Sequence, residues 1–262
     1  MNGTLVIQIC RPERVSNRSI KNHPPPYSNM RNFIFWGGTG HSIALAELLS
    51  YSGDKVIAIF DNNRKLQSPF DDVPIYYGRK SLDEWLSSHH AEETHFAVAI
   101  AGWNNLPRLE YHEYLKIKGF KPATLIHPAS FVSRDAVLGE ACNIMTRATI
   151  CVRTNLGKSV IVNSGSIVDH ESILEDGVHV SAGVNIGAVC RIGSGSFIGI
   201  GATVMSYVQV GRNAFVGAGA LVLGDVPDNA VVFGAPAKVH YYRDEKGNRM
   251  EIPSPEKLIK RH

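Results

Sequence analysis

From Leu125 onward the chain keeps a six-residue clock. It divides without insertion into seventeen hexads, starting LIHPAS, FVSRDA, VLGEAC and ending QVGRNA, FVGAGA, LVLGDV. The second position is Ile, Val or Leu every time, from Ile126 to Val222, and the sixth is always Ser, Ala, Cys, Thr or Val. A helix of 3.6 residues per turn would scatter these positions around its surface, whereas a β-solenoid keeps them in columns. Each hexad then supplies one short strand and a tight turn, with the branched residue inward and the small residue at the crowded corner. Three hexads close a triangular coil, and roughly five to six coils stacked about 4.8 Å apart make a prism about 27 Å long. Backbone groups pair with the coils above and below, so none is left without a partner.

The preceding segment has a different grammar. NFIFW (32–36) reads as a buried strand, GGTGH (37–41) as a glycine-rich turn, and SIALAELLSYSG as a helix ending at Gly53. KVIAIF (55–60) is a second strand, running into Asp61. This is a βαβ unit whose first turn can receive a phosphate on backbone amides at the helix start, or can be a tight turn and nothing more. Ile43 stands where the third glycine of the dinucleotide fingerprint would be. Asp61 lies where an acidic side chain often meets a ribose hydroxyl. VPIYYG and HFAVAIAG read as further strands, with helices at 80–89 and about 106–118, giving about four strands. Such a sheet is short for a two-halved dinucleotide fold and favours a nucleotide without nicotinamide. The fold class expected is a small Rossmann-like α/β domain (30–124) followed by a β-helix (125–240), with a polar C-terminal tail (241–262). Residues 1–29, polar and proline-rich, read as an extension, with Met30 as the start of the fold.

Composition narrows the partners. A net charge of +3 with no Lys/Arg run argues against nucleic acid. No apolar run reaches the roughly 18–20 residues of a membrane span, and no signal peptide is evident, so no membrane insertion and a cytoplasmic location are expected. The four cysteines form neither a Cys-x-x-Cys pair nor a metal-ligand pattern, so no metal and a reducing compartment are expected.

One hexad breaks its column: IVDHES places His170 between Asp169 and Glu171, with Val152 and Ala188 one coil away on either side. The residues alone allow a general base held by a carboxylate, or a solvated turn. The hexad run resembles the hexapeptide acyltransferases, whose repeat forms a left-handed parallel β-helix. With GGTGH ahead of it and GAPA (234–237) closing it, residues 31–240 are similar to the sugar acyltransferases of the PglD/NeuD type. The resemblance implies an acetyl-CoA-dependent N-acetyltransferase acting on a nucleotide-linked amino sugar, such as a 4-amino-4,6-dideoxy sugar of bacterial surface-glycan biosynthesis. It also implies a homotrimer with sites between protomers. By the same resemblance His170 is the general base and Glu171 its carboxylate, with Asp169 a competitor. His179, Ile200 and Ala218 would contact acetyl-CoA, although Ala218 replaces the family's glycine. Thr39, Gly40, His41, Asp61, Asn62 and Gly102 would meet the nucleotide-sugar, Asn62 departing from an Asp-Asp pattern. Asn104 and Arg108 are weaker candidates near the phosphates, His127 fits the domain junction, and Cys142 and Cys190 fit the core. Two rivals stand beside this reading: an O-acetyltransferase of the sialic-acid type, and a non-catalytic solenoid that binds nucleotide sugars.

Overall fold

The structure, a computed structural model, describes residues 30–103, 106–244 and 247–251. The extension at 1–29 and Asn104 lie outside them.

The first domain runs β1 (Asn32–Trp36), α1 (Gly40–Ser50), β2 (Lys55–Asp61), β3 (Ile75–Tyr77), α2 (Gly78–Leu86), β4 (Thr94–Val98), α3 (Leu106–Ile117) and β5 (Lys121–Pro122). The sheet is wholly parallel, in the order β3-β2-β1-β4-β5. β1 is apolar on both sides because both sides are covered. Phe33 and Phe35 pack with Leu45 and Leu49 of α1, while Ile34 and Trp36 pack with Leu82 of α2 and Leu115 of α3. The fifth strand, β5, was not anticipated: two residues are too short to show an alternating pattern. Because β1 lies between β2 and β4, the chain leaves their carboxyl ends toward opposite faces, which opens a crevice there. Gly37 makes that crevice possible. Its φ is +114°, and a Cβ would sit 2.7 Å from the Ala99 carbonyl oxygen at the end of β4.

The second domain is the expected prism. Seventeen two-residue strands run from Leu125–Ile126 to Leu221–Val222 and form three parallel sheets. Face one includes Ile161–Val162, His179–Val180, Phe197–Ile198 and Phe215–Val216; face two includes Thr149–Ile150 and Ile167–Val168; face three includes Asn155–Leu156 and Ile173–Leu174. Residues 18 apart are partners, as Thr149 with Ile167 and Ile161 with His179. The second-position side chains fill the interior together with sixth-position residues such as Cys142, Cys190 and Ala202. Ile126 is an exception to the inward rule: it is exposed, since the first coil has no coil beneath it.

The corners obey a rule that the sequence reading overlooked. From Ala141 to Gly219 the fifth residue of each hexad is left-handed, with φ between 52° and 70°. This conformation costs an ordinary L-residue about 1–2 kcal/mol and glycine almost nothing. The first corner, between faces one and two, begins with Arg147 and then has Gly165, Gly183, Gly201 and Gly219 there. The second corner, between faces two and three, uses Arg153, Glu171, Val189 and Tyr207.

The expected tail boundary at residue 240 does not hold. Strand Lys238–Arg243 pairs antiparallel with Ala230–Phe233 and with Arg249–Met250, so face one continues beyond the hexads. Arg243 from this hairpin lies 5.3 Å from the ring of Trp103.

The two domains are clasped at the third corner, between faces three and one. Arg108 of α3 is buried and donates from Nε to the Ser159 carbonyl (2.9 Å), from Nη1 to that of Ile100 (2.9 Å) and from Nη2 to that of Gly177 (2.6 Å). Two of these carbonyls belong to the β-helix and one to the α/β domain. Around the clasp, Leu109 touches Gly177, and Lys116–Glu140 and Lys158–Glu113 close the rim. Arg108 therefore does not serve a phosphate, as its position in the sequence had suggested: its donors are spent on the interface. Truncation to Ala strands buried carbonyls, each costing about 1–3 kcal/mol. Arg108→Ala is expected to lower the unfolding free energy by about 3 kcal/mol or more. Urea denaturation followed by Trp36 and Trp85 fluorescence checks this, and an unchanged midpoint would show that the clasp is dispensable.

Candidate active site

Three groups of residues meet at the carboxyl end of the α/β sheet. The β1–α1 turn presents Thr39 and Gly40 to solvent at the start of α1, and Thr39 makes no side-chain cap. Asp61 ties this turn to the next one: Oδ2 accepts the Gly38 amide (2.9 Å) and Oδ1 accepts that of Asn63 (2.8 Å). Asn62 turns the other way and donates to the Tyr111 hydroxyl (2.6 Å). Gly102, on the loop after β4, has φ +108°, and a Cβ there would meet no atom of the described residues within 4 Å.

This crevice opens onto face one of the prism. His179 is buried, and its Nδ1 lies 3.0 Å from the Gly102 amide. Nδ1 also lies 3.2 Å from the Gly102 carbonyl oxygen, so it accepts from the amide when the proton is on Nε2 and donates to the carbonyl when the proton is on Nδ1. Its ring packs edge-on against Phe197, 5.1 Å between centroids. His41, the second residue of α1, reaches Asn143 on the same face (3.4 Å). Burial, reinforced by the Arg108 guanidinium, pulls the pKa of His41 down to about 4 and that of His179 down to about 3. Both imidazoles are therefore neutral at physiological pH. His179 thus belongs to the crevice as much as to the solenoid, through a contact that spans 77 residues and leaves no local pattern.

The remaining candidates stand elsewhere on the same chain. His170 is exposed on the second corner. Its Nδ1 is 3.3 Å from Glu171 Oε2, while Asp169 Oδ1 accepts the His170 backbone amide at 2.7 Å. The carboxylate beside the imidazole is thus Glu171, which also meets Arg153 (3.3 Å). The coil contacts are as the 18-residue period demands: Glu171 N–H to the Val152 carbonyl, and Val189 N–H to that of His170. Ile200 and Ala218 are exposed on the first corner, beside Gly201 and Gly219, with the Gly219 amide bonded to the Ile200 carbonyl (2.8 Å). Ala182, three residues after His179, begins that row. Face one runs from His179 on to the first corner, whereas the His170 corner joins the other two faces. Cys142 is buried with its thiol pushed up to about 11 by burial, and burial also raises Cys190 and Cys151. His127 is buried at the domain junction, edge-on to Tyr51 at 4.9 Å. Among the described residues no helix is long and apolar enough to cross a membrane.

Comparison with known proteins bears on this arrangement. The family described as bacterial transferase hexapeptide (six repeats) matches residues 190–224. GDP-perosamine N-acetyltransferase of Escherichia coli O157:H7 is 31% identical over 110 residues, 42% of this chain; the match spans about half (49%) of that protein's length. The acetyltransferase domain of PglB from Neisseria gonorrhoeae is 32% identical, with 80% of this chain and 99% of that domain covered and a TM-score of 0.72. The chain belongs to the hexapeptide-repeat acetyltransferases. Within that family, a GDP-perosamine N-acetyl transferase from Caulobacter crescentus, solved with CoA and GDP-perosamine, is 28% identical (80% and 97% covered, TM-score 0.74). The prism of this acetyltransferase is accordingly the family's left-handed parallel β-helix.

The neutral histidines make a prediction about acid stability. In the unfolded chain they titrate near 6.5, and in the folded chain far lower. Between those values the unfolded state binds more protons, so stability is lost as pH falls from about 6.5 toward 4. A loss of about 2 kcal/mol or more between pH 6.5 and 4.5 is expected in urea titrations. His179→Asn, which keeps an acceptor for Gly102, should flatten the slope; His95 and His112, also lowered mainly by burial, remain in both proteins. Equal slopes would remove His179 as a source.

Proposed function

We propose that this chain transfers the acetyl group of acetyl-CoA to the amino group of a nucleotide-linked amino sugar. The observation that carries the reading is the crevice itself. Backbone amides at the start of α1, Asp61 and Gly102 surround a space that opens onto a buried, neutral His179, on the face that runs on to the glycine row of the first corner. The relatives bind CoA, acetyl-CoA and GDP-perosamine, as their structures are described. A 4-amino-4,6-dideoxy sugar on a nucleoside diphosphate is the acceptor that suits both ends of the crevice. The diphosphate meets the helix start, where Thr39, Gly40 and His41 stand, Asp61 and Asn62 read the nucleoside, and the sugar extends past Gly102 toward face one.

In this reading the amine nitrogen attacks the thioester carbonyl carbon and passes a proton to His170 Nε2. The tetrahedral intermediate collapses, the carbon–sulfur bond breaks, and the thiolate of CoA recovers the proton from His170. Glu171, beside Nδ1, holds the tautomer and stabilises the transient imidazolium. In the tautomer in which Nδ1 accepts from the Gly102 amide, His179 contributes its Nε2–H to the thioester oxygen, and Ile200 and Ala218 lend backbone to CoA. Since His170 lies on a corner away from its own crevice, it serves the crevice of a second copy, as in a trimer with sites between protomers. No buried cysteine takes up the acetyl group, so transfer is direct.

Thiol release with acetyl-CoA, assayed against GDP-perosamine and a panel of other nucleotide-linked 4-amino sugars, tests this. His170→Ala is expected to lose about 10²–10⁴ in kcat and Glu171→Gln a smaller factor of about ten, both with the fold intact by circular dichroism. Wild-type turnover in His170→Ala would remove the base, and an absence of thiol release with every amino sugar would remove the acceptor class.

A further inference from the structure

Face one carries an outward column whose spacing the hexads fix. Leu125, Asn143, Ile161, His179, Phe197 and Phe215 each open their strand, and the residue after each belongs to the interior row. All are apolar except two. His179 has its contact with Gly102. Asn143 is the other exception, and it is only 2% exposed. Its ladder partners are Leu125, which packs into the α/β core, and the fully buried Ile161. The Asn143 backbone bonds to the next coil as its neighbours do, so the solenoid has no need of a carboxamide there. Its Oδ1 is enclosed and has no hydrogen-bond partner among the described residues. Such an atom costs about 1–3 kcal/mol, which Leu or Ile at 143 would avoid. Stability of the prism therefore does not explain this side chain.

Its other end does. Asn143 Nδ2 lies 3.4 Å from Nε2 of His41, the second residue of α1. A carboxamide nitrogen can only donate, so Nε2 accepts, and a neutral ring then carries its proton on Nδ1. Nδ1 has no hydrogen-bond partner among the described residues, and His41 is only partly buried. Turning the carboxamide over would reverse the choice, with Oδ1 accepting from Nε2–H and a bare lone pair left at Nδ1. Beside the free amides of a helix start, which gather anions, that lone pair would repel what the amides attract. We infer that Asn143 is a positioning residue: from the β-helix it holds His41 of the α/β domain in the Nδ1–H tautomer, so that an uncharged imidazole donates a hydrogen bond to the diphosphate of the acceptor. The inference rests on the transfer reading for the identity of that anion. The tautomer itself is tested with no ligand present.

The test is nitrogen NMR of the full chain labelled with ¹⁵N-histidine, with the His41 signals assigned by their loss in His41→Ala. The wild type is expected to show a protonated Nδ1 and a bare Nε2 at neutral pH. In Asn143→Leu, with its fold checked by circular dichroism, the proton is expected to move at least in part to Nε2. A proton on Nε2 in the wild type overturns the inference even if the variant fails to fold, and an unchanged tautomer in a folded Asn143→Leu also overturns it. Titration calorimetry with GDP-perosamine reads the consequence. Asn143→Leu is expected to weaken binding about tenfold or more. Because Asn143 acts through His41, adding Asn143→Leu to His41→Ala should weaken binding no further. Additive losses would show a role for Asn143 that does not pass through His41 and would overturn the positioning role. The expected tautomer shift together with no binding of any nucleotide-linked amino sugar would count against the transfer reading and leave the tautomer assignment standing.

Discussion

Everything in the candidate site depends on where the α/β domain sits on the prism, and that is set by one buried guanidinium. Three backbone carbonyls of the described residues accept from Arg108. Burial lowers its pKa to about 9, which still leaves it charged near neutrality. Removing a full charge from water is expensive unless the new partners are well placed. Here they come from both domains, at Ile100, Ser159 and Gly177, so the favourable arrangement exists only when the domains are docked. The same charge then acts on its surroundings. Burial in the docked crevice lowers His41 and His179, and the Arg108 charge lowers them further, so the docking that positions the crevice also keeps both of its imidazoles neutral.

The solenoid supplies a ruler. Eighteen residues per coil place each side chain at a known corner and height, which is why His170, Val152 and Ala188 could be stacked from the spacing alone and were found stacked by their backbone hydrogen bonds. The ruler has a cost at every turn, the left-handed fifth residue. Along the first corner, above Arg147, glycine removes that cost and leaves the backbone bare. Along the second corner the cost is borne by Arg153, Glu171, Val189 and Tyr207. A fold with a repeating strain thus records, in its exceptions to glycine, where side chains are wanted.

Legibility followed the range of the interactions. The hexads, β1, α1, β2 and the glycine turn were readable because their signals are local periodicities. β5 was too short to signal itself, and the hairpin strand Lys238–Arg243 lay in a stretch whose polar composition suggested a tail. The left-handed column was present in the letters, as glycine at 165, 177, 183, 195, 201 and 219, but Ala141, Arg147, Arg153, Ser159, Glu171, Val189, Tyr207 and Asn213 share the conformation and hide the period. Arg108 was misjudged for a different reason. A basic residue after a βα loop ordinarily suggests a phosphate, and only the packing of α3 on the third corner turns its donors inward. The contact between Gly102 and His179 joins residues 77 apart in two domains, and no periodicity could have indicated it.

A triangular prism has only three corners, and this chain commits each to a different task. The third is covered by the chain's own α/β domain, and with it the crevice is fixed over face one. The first lies at the other edge of face one and carries glycine from residue 165 to residue 219. The second holds an imidazole with its carboxylate and lies across the prism from the space where an acceptor amine would be held. A base that must come within about 3 Å of its proton cannot act from there within one copy. If His170 is the base, symmetry is therefore part of the chemistry: rotating a second copy about an axis parallel to the prism is the simplest operation that turns a second corner toward a first corner without altering heights, and closed rotation yields a ring in which every copy both gives and receives a base.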